Sequence, residues 1–174
     1  MPLPVRLRVL LLALVVTCTS SGTIAGRASS GHGERAAPPR PDPACPLPGR
    51  YRGAFELAAR DTSLPLPLLL AVARVESRMN QSARSSRGAR GLLQVLPSTA
   101  KTLGLDASSA RPNVLAGARY LRQLLARFDS ADLALAAYNA GPTAVARAGG
   151  APSGETITYV ANVTAAWRSL RGCT

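Results

Sequence analysis

The stretch "LLLAVARVESRMN" (68–80) places an acidic side chain inside an apolar helical pattern. Leu69, Val72, Ala73 and Glu76 recur at helical spacing, so on a helix they share its apolar face. No residue three or four positions from Glu76 is cationic, and desolvation without an ion pair raises the pKa of a carboxyl group. The stretch therefore predicts an acid that keeps its proton near neutral pH and can donate it. The alternative is that Glu76 simply ends the helix in solvent.

Helical patterns with Gly and Pro between them continue from residue 50 to the end of the chain. Nothing alternates as a strand would, and the low aromatic content of 4% leaves Leu, Val and Ala to build the core. We therefore expect an all-α domain, in which Asn113 caps the longest helix. Its predicted apolar stripe is Val114, Ala118, Leu121, Leu125 and Phe128, and that of the last helix is Ile157, Val160, Val163, Trp167 and Leu170. The predicted helices are 50–61, 66–77, 97–104, 113–128, 130–142, 143–150 and 155–170.

The first part of the chain has the pattern of an export signal. Arg6 and Arg8 precede the short apolar run "VLLLALVV", which is below the roughly 20 residues that a membrane-spanning helix needs. We expect a signal peptide over 1–25, a Pro/Gly-rich linker over 26–48 and a folded domain over 49–174. An alternative reading of "VVTC" (15–18) is a weak lipoprotein box that would lipidate Cys18 and bring the protein to a membrane.

Two cysteines remain if Cys18 leaves with the signal peptide. Cys45 and Cys173 bracket the predicted domain, and in an exported protein such a pair favours a disulfide that joins its two ends. The alternative is two free thiols.

The charge balance is strongly basic, with 21 basic and 9 acidic residues and a formal charge of +12. The arginines are scattered singly with almost no aromatic residues between them, so we do not expect a nucleic-acid partner. The single histidine, His32, lies in the predicted linker, and no cluster of metal ligands is visible, so we expect neither a metal nor a cofactor.

Four motifs occur in order along the predicted domain: "ES" (76–77), "GLLQ" (91–94), "AYNAG" (137–141) and "ETITYV" (155–160). Together they resemble the lytic transglycosylases of the soluble type, bacterial enzymes with a goose-type lysozyme-like helical domain that cleave peptidoglycan. The resemblance runs from about residue 50 to 171. The family usually has Met at the position of Leu93 and a basic or polar residue at that of Ile157.

The resemblance implies that Glu76 is the single catalytic acid. It would protonate the β-1,4 bond between N-acetylmuramic acid and N-acetylglucosamine, and then act as a base while the sugar's own hydroxyl closes a 1,6-anhydro ring. A lysozyme-like hydrolase on the same fold is the first alternative, and a non-catalytic wall-binding or scaffold protein is the second. The absence of an evident second carboxylate motif favours the transglycosylase.

Six further residues are candidates for binding the glycan. Ser77 could contact Glu76 or the glycan, or merely end its helix. Ser85 precedes the "GLLQ" turn and could face the peptide-bearing sugar, or be an ordinary loop serine. Gln94 suits a sugar amide or hydroxyl, whereas Asn139 could equally cap a helix. Tyr138 and Tyr159 could form a sugar platform, bond to Glu76 or belong to the core. We interpret Glu155 as structural, because an acid suits the start of a helix.

The expected partners follow from this resemblance. We expect a monomer that binds peptidoglycan glycan strands in the periplasm or outside the cell, and that touches a membrane only if Cys18 is lipidated.

Overall fold

Seven α-helices follow one another in the computed structural model, which describes residues 44–173. Within this range no residue belongs to an extended strand, and only isolated bridges link Arg84 with Arg90 and Arg90 with Val95. The predicted all-α class is confirmed. The helices are α1 (Gly49–Thr62), α2 (Leu66–Ser77), α3 (Pro97–Thr102), α4 (Ala110–Phe128), α5 (Ala131–Ala140), α6 (Pro142–Ala148) and α7 (Gly154–Ser169).

Local sequence explains where the helices near the site begin and end. Pro67 lies in the first turn of α2, where its missing N–H costs nothing. The helix ends at Ser77, and Arg78 follows it with a left-handed backbone. The N–H of Arg78 donates to Arg74 O, and the N–H of Met79 donates to Ala73 O. Helix α7 begins after Ser153, whose Oγ accepts from the N–H of Thr156. None of the helices in residues 44–173 is both long and apolar enough to cross a membrane.

The cap predicted for the longest helix is wrong. Helix α4 starts three residues before Asn113, with Ser109 at the N-cap, and Asn113 is fully buried inside the helix. Its side chain instead forms hydrogen bonds with the backbone of the loop that precedes α3. Asn113 Oδ1 accepts from the N–H of Leu93 at 2.9 Å, and Nδ2 donates to Arg90 O at 2.8 Å. Buried backbone groups need such partners, so this amide ties the loop to α4.

The core lies where α4 packs against α1 and α5, and where α2 packs against α7. Phe55, Leu69 and Leu121 are almost completely buried there. On α4 the predicted stripe is buried at Val114, Ala118 and Leu121 and partly buried at Leu125 and Phe128.

The stripe predicted for the last helix is wrong at its N-terminal end. Ile157 is 59% exposed, whereas Thr156 and Tyr159 face the interior together with Val163. The hydroxyl groups of Thr156 and Tyr159 thus lie in the interior, and each of them has a hydrogen-bond partner there. A prediction from hydrophobicity alone placed Ile157 in the interior instead of Thr156 and Tyr159. It failed because a polar group that is hydrogen-bonded can be buried at little cost in free energy.

A disulfide joins Cys45 to Cys173, as predicted, across 128 positions of the chain. Cys45 and Leu47 are buried, so the last residues of the predicted linker already pack against the domain. The predicted signal peptide, the rest of the linker, Cys18 and His32 lie outside the described residues.

Candidate active site

Glu76 lies in the last turn of α2, on the face that packs toward α7, and its side chain is partly buried. Burial raises the pKa of Glu76 from 4.5 to about 7, and a hydrogen bond from Tyr159 opposes the rise without cancelling it. A carboxyl group with this pKa is present in both protonated and ionised forms near neutral pH. It is therefore able to act as an acid and as a base.

Tyr159 fixes the orientation of this carboxyl group. Its hydroxyl donates to Glu76 Oε1 at 2.7 Å, and the Tyr159 side chain is itself buried in α7. Burial and the nearby charge of Glu76 hold the pKa of Tyr159 well above its usual value, so the hydroxyl stays a donor. Among the described residues Glu76 Oε2 has no hydrogen-bond partner, which makes it the oxygen that is free to carry a proton.

Glu76 opens into a cleft of about 570 Å³. This is the size of a site for a small molecule or a few sugar units, for which pockets of roughly 300–1,000 Å³ are common. Four of the six predicted binding residues line it with Glu76: Ser85, Gln94, Tyr138 and Asn139. Tyr159 instead lines a neighbouring cleft of about 360 Å³ that shares Asn139 and Glu155 with the first.

One wall of the cleft is a hairpin-like loop between α2 and α3. Arg90 and Val95 exchange backbone hydrogen bonds, and Ser85 Oγ accepts from the N–H of Ala89 at 3.0 Å. Gln94 has a left-handed backbone with a φ of 43°, and its Nε2 donates to Ala83 O and Gly91 O. The amide hydrogens of Gln94 therefore hold the loop, which leaves its Oε1 as the group that can accept from a ligand.

Another part of the cleft lining comes from the end of α5. Tyr138 donates its hydroxyl to Leu93 O at 2.8 Å, and its ring lies 5.4 Å from that of Tyr120. Of the two tyrosines considered as partners of Glu76, the hydrogen bond is thus made by Tyr159. Asn139 Oδ1 accepts from Thr156 Oγ1 at 3.1 Å, which leaves its amide nitrogen as the group that can face a ligand.

Ser77 lies away from the lining of the cleft. It is buried, and its hydroxyl donates to Leu92 O at 2.9 Å and to Ala73 O at 3.1 Å. The hydroxyl of Ser77 therefore joins the end of α2 to the loop that forms the cleft wall, which is a structural role beyond that of ending the helix.

Several residues at the site were not singled out as binding residues by the sequence, among them Tyr120, Glu155 and Gly117. Tyr120 and Glu155 line the cleft, and Glu155 is a second carboxylate there. Gly117 makes room for the wall, since a Cβ at this position would lie 2.5 Å from Leu93 Cδ1 and 2.8 Å from Tyr138 Oη. Gly117 and Tyr120 are three positions apart on one helix, so the sequence could have indicated that they share a face. Only the packing of the helices shows that this face lies at the cleft.

Within residues 44–173 no group of three or more His, Cys, Asp or Glu side chains lies close enough to hold a metal ion.

The fold and the site define a helical domain that presents one partly buried acid to an open cleft. Comparison with known families gives the same class, because residues 53–160 match the transglycosylase SLT domain. The chain belongs to this family.

Individual relatives support this assignment. A protein of Haemophilus influenzae named a soluble lytic murein transglycosylase is 35% identical over 144 residues, which cover 68% of this chain and 24% of that protein. A membrane-bound lytic murein transglycosylase F of Alkalilimnicola ehrlichii is 38% identical over 100 residues, with coverage of 53% and 22%. The chain thus spans about a quarter of the length of these relatives.

Solved structures agree with the sequence relatives. The lytic transglycosylase Slt from Pseudomonas aeruginosa, in an inactive form with glutamine in place of a glutamate, matches with a TM-score of 0.60 and 30% identity. The match covers 71% of this chain and 25% of that one. The 70 kDa soluble lytic transglycosylase from Escherichia coli matches with the same TM-score, 28% identity and the same coverage. The lysozyme-like helical fold expected from the four motifs is confirmed.

Proposed function

We propose that this chain is a peptidoglycan lytic transglycosylase in which Glu76 acts first as a general acid and then as a general base. The observation that carries the proposal is Glu76 itself, a carboxyl group with a pKa of about 7 that is held by Tyr159 at an open cleft. The family relatives that are named for cleavage of murein support the substrate class. The Pseudomonas aeruginosa relative becomes inactive when a glutamate is replaced by glutamine, which supports a glutamate as the acid.

In the first step the proton on Glu76 moves to the glycosidic oxygen between N-acetylmuramic acid and N-acetylglucosamine. The bond from the anomeric carbon to that oxygen breaks, and the acetamido group shields the developing positive charge. Because Tyr159 occupies Oε1, the proton is delivered from Oε2. The hydrogen bond from Tyr159 then stabilises the carboxylate that the step leaves behind.

In the second step ionised Glu76 removes the proton from the primary hydroxyl of the same muramic acid residue. The oxygen of this hydroxyl bonds to the anomeric carbon and closes a 1,6-anhydro ring, and Glu76 regains its proton. No water is consumed. Since the attacking hydroxyl is part of the substrate, a fixed geometry near the anomeric carbon supplies the advantage of an intramolecular reaction.

A lysozyme-like hydrolase has the support of one observation, the presence of Glu155 at the same cleft. Hydrolases usually use a second carboxylate to attack or to activate water. Glu155 is exposed and lies in the first turn of α7. Its carboxylate is therefore a candidate base in the hydrolytic alternative and has no required step in the transglycosylase.

Mass spectrometry of the products released from purified sacculi tests these functions directly. We expect 1,6-anhydro ends and no oxygen from ¹⁸O-labelled water. Labelled reducing ends would show a hydrolase, and a Glu155→Gln variant that loses this activity would identify the second carboxylate. Binding to sacculi without any release would identify a wall-binding or scaffold protein.

The location follows from the same proposal. Murein lies in the cell envelope outside the cytoplasm, so we propose that the protein acts there as a monomer after export. Fractionation of cells that express the full chain, followed by sizing of the purified protein, tests both parts.

A further inference from the structure

Helices α1 and α4 carry arginines on their outward sides. Together the two helices hold seven arginines and two acidic residues, and both acids belong to α1. On α4, Arg111, Arg119 and Arg122 lie within one arc of the helix surface, on the side away from its buried residues. Arg111 and Arg122 are exposed, and about 16 Å of helix separates them.

Helix α1 extends this surface. Its buried residues occupy one side of the helix, and Arg52 and Arg60 project from the other. An ion pair between Arg119 of α4 and Asp61 of α1 joins the two helices at the surface, where both side chains are partly exposed. We call this surface the arginine face, and its arginines are Arg52, Arg60, Arg111, Arg119 and Arg122.

The two acids on the arginine face are already paired with arginines. Glu56 lies 3.7 and 4.0 Å from guanidinium nitrogens of the two arginines of α1, and both carboxylate oxygens of Asp61 accept from Arg119 at 2.8 Å. Within residues 44–173 Arg111 and Arg122 take part in no ion pair. The face therefore has an excess of positive charge, which attracts an anionic partner.

The arginine face is directed away from the cleft. Tyr120 lines the cleft, and nine positions, or about two and a half helical turns, separate it from Arg111. These two side chains therefore leave α4 in opposite directions. Neither of the two clefts described above is lined by a residue of α1. A partner bound to the arginine face thus leaves the cleft at Glu76 open.

The spread of these charges fits a plane of phosphate headgroups. A single small anion needs donors that converge on one point, whereas Arg111 and Arg122 lie about three turns apart on the outside of a helix. A lipid leaflet offers phosphates across the whole face, and each arginine near an anionic leaflet raises the affinity about fivefold. The export signal expected over 1–25 would take the chain to a membrane, and the linker expected over 26–48 leads into α1.

We propose that the arginine face docks the domain on an anionic phospholipid membrane, with the cleft at Glu76 directed away from the lipid. This contact does not require lipidation of Cys18, which was the only membrane contact expected from the sequence. It goes beyond the proposed function, because it assigns the protein a second binding surface. A domain held in this way presents its cleft to the murein beside the membrane.

Sedimentation with lipid vesicles tests the proposal on the full-length exported protein. We expect much stronger binding to vesicles of phosphatidylcholine and phosphatidylglycerol than to vesicles of phosphatidylcholine alone, and added salt should shrink the difference. Replacing Arg111 and Arg122 together with glutamine should lower the affinity for the anionic vesicles about 25-fold, since each of them contributes about fivefold. Equal binding of the wild-type protein to both kinds of vesicle would overturn the proposal.

Arg84→Gln combined with Arg147→Gln is the matched control. Both arginines are exposed and belong to neither α1 nor α4, so this variant loses the same net charge and keeps the arginine face. Its affinity for the anionic vesicles should stay close to that of the wild type. An equal loss of affinity in the two double variants would overturn the proposal, because it would show a general effect of net charge.

Two further measurements separate the partner from the fold and from the proposed function. The variant without Arg111 and Arg122 should melt like the wild type and release murein fragments at the wild-type rate, because neither residue is buried or lines the cleft. Binding of soluble polyphosphate through these two arginines, without binding to the anionic vesicles, would overturn the proposal and identify an acidic polymer as the partner. The vesicle assay contains no murein, so a failure of the proposed function would not change its result.

Discussion

Tyr159 on α7 donates its hydroxyl to Oε1 of Glu76 on α2, at 2.7 Å and across 83 positions of the chain. The pairing exists because α2 and α7 pack against each other. Burial between these helices raises the pKa of Glu76, while the hydrogen bond favours the ionised form. Together the two effects give Glu76 a pKa of about 7. Near neutral pH the carboxyl group can therefore both donate a proton and accept one.

We expect Glu76→Gln to fold normally and to release murein fragments roughly 10²- to 10⁴-fold more slowly, since the amide cannot transfer a proton. The measurement is the rate of release of soluble anhydro products from purified sacculi. Near-native release by this variant would contradict the assignment of Glu76.

The same variant should be more stable than wild type at alkaline pH. A folded pKa raised to about 7 means that Glu76 holds its proton more tightly in the folded state than in the unfolded chain. Its contribution to stability is therefore complete below the unfolded pKa and is lost as the pH rises through about 7. The loss is on the order of 2–3 kcal/mol, after allowance for the partial exposure of the side chain.

Thermal melts of both proteins at pH 5 and pH 8.5 test this prediction. Glutamine is always neutral, so Glu76→Gln should melt close to wild type at the lower pH and above it at the higher pH. A variant that melts well below wild type at pH 8.5 would reveal a stabilising partner of the ionised carboxylate.

Tyr159→Phe should move the alkaline limb of the kcat/KM profile to higher pH. The hydrogen bond from Tyr159 lowers the pKa of Glu76, so its removal raises that pKa further above 7. We also expect the maximum rate to fall about tenfold, because the carboxyl group loses its orientation. Tyr51→Phe, a buried tyrosine on α1, is the control and should keep the wild-type profile. If the alkaline limb of the kcat/KM profile did not move in Tyr159→Phe, the pKa of a group other than Glu76 would determine that limb.

Asn113→Ala should lower the free energy of unfolding by about 2–4 kcal/mol, because it leaves the N–H of Leu93 and the carbonyl of Arg90 without their buried partner. Urea unfolding gives this quantity. Gln123→Ala, at an exposed position on the same helix, should change it by less than about 0.5 kcal/mol. Equal effects of the two substitutions would argue against the role of Asn113 in holding the loop.

Replacing both Cys45 and Cys173 with serine should reduce stability by up to about 4–5 kcal/mol, since the cross-link closes nearly the whole domain into one loop. Activity at low temperature should persist, because Glu76 and Tyr159 are held by helix packing. Peptide mapping without reductant should show the two cysteines linked in exported wild-type protein. Free-thiol labelling of both would contradict the disulfide.

Local sequence patterns were sufficient to predict the helices, the desolvation of Glu76 and the cysteine pair. Helical periodicity and Gly/Pro punctuation identified all seven helices of the described range, because apolar spacing reports which side of a helix must leave water. The apolar face of α2 indicated that Glu76 would be desolvated, and the raised pKa has that cause. The disulfide was predictable from the end-to-end positions of Cys45 and Cys173 together with the expected export of the protein.

Long-range contacts decided the rest. Asn113 looks like a helix cap in the sequence, and only the loop that folds against α4 gives its amide a buried role. Thr156 and Tyr159 displace Ile157 from the interior, since Asn139 and Glu76 on other helices supply their hydrogen-bond partners. Sequence periodicity records the hydrophobicity of one helix, whereas the cost of burying a polar group depends on a partner that the fold brings from elsewhere in the chain. The sequence therefore determined the helices and the desolvation of Glu76, and tertiary packing alone decided which tyrosine bonds to this carboxyl group and which side chains surround it.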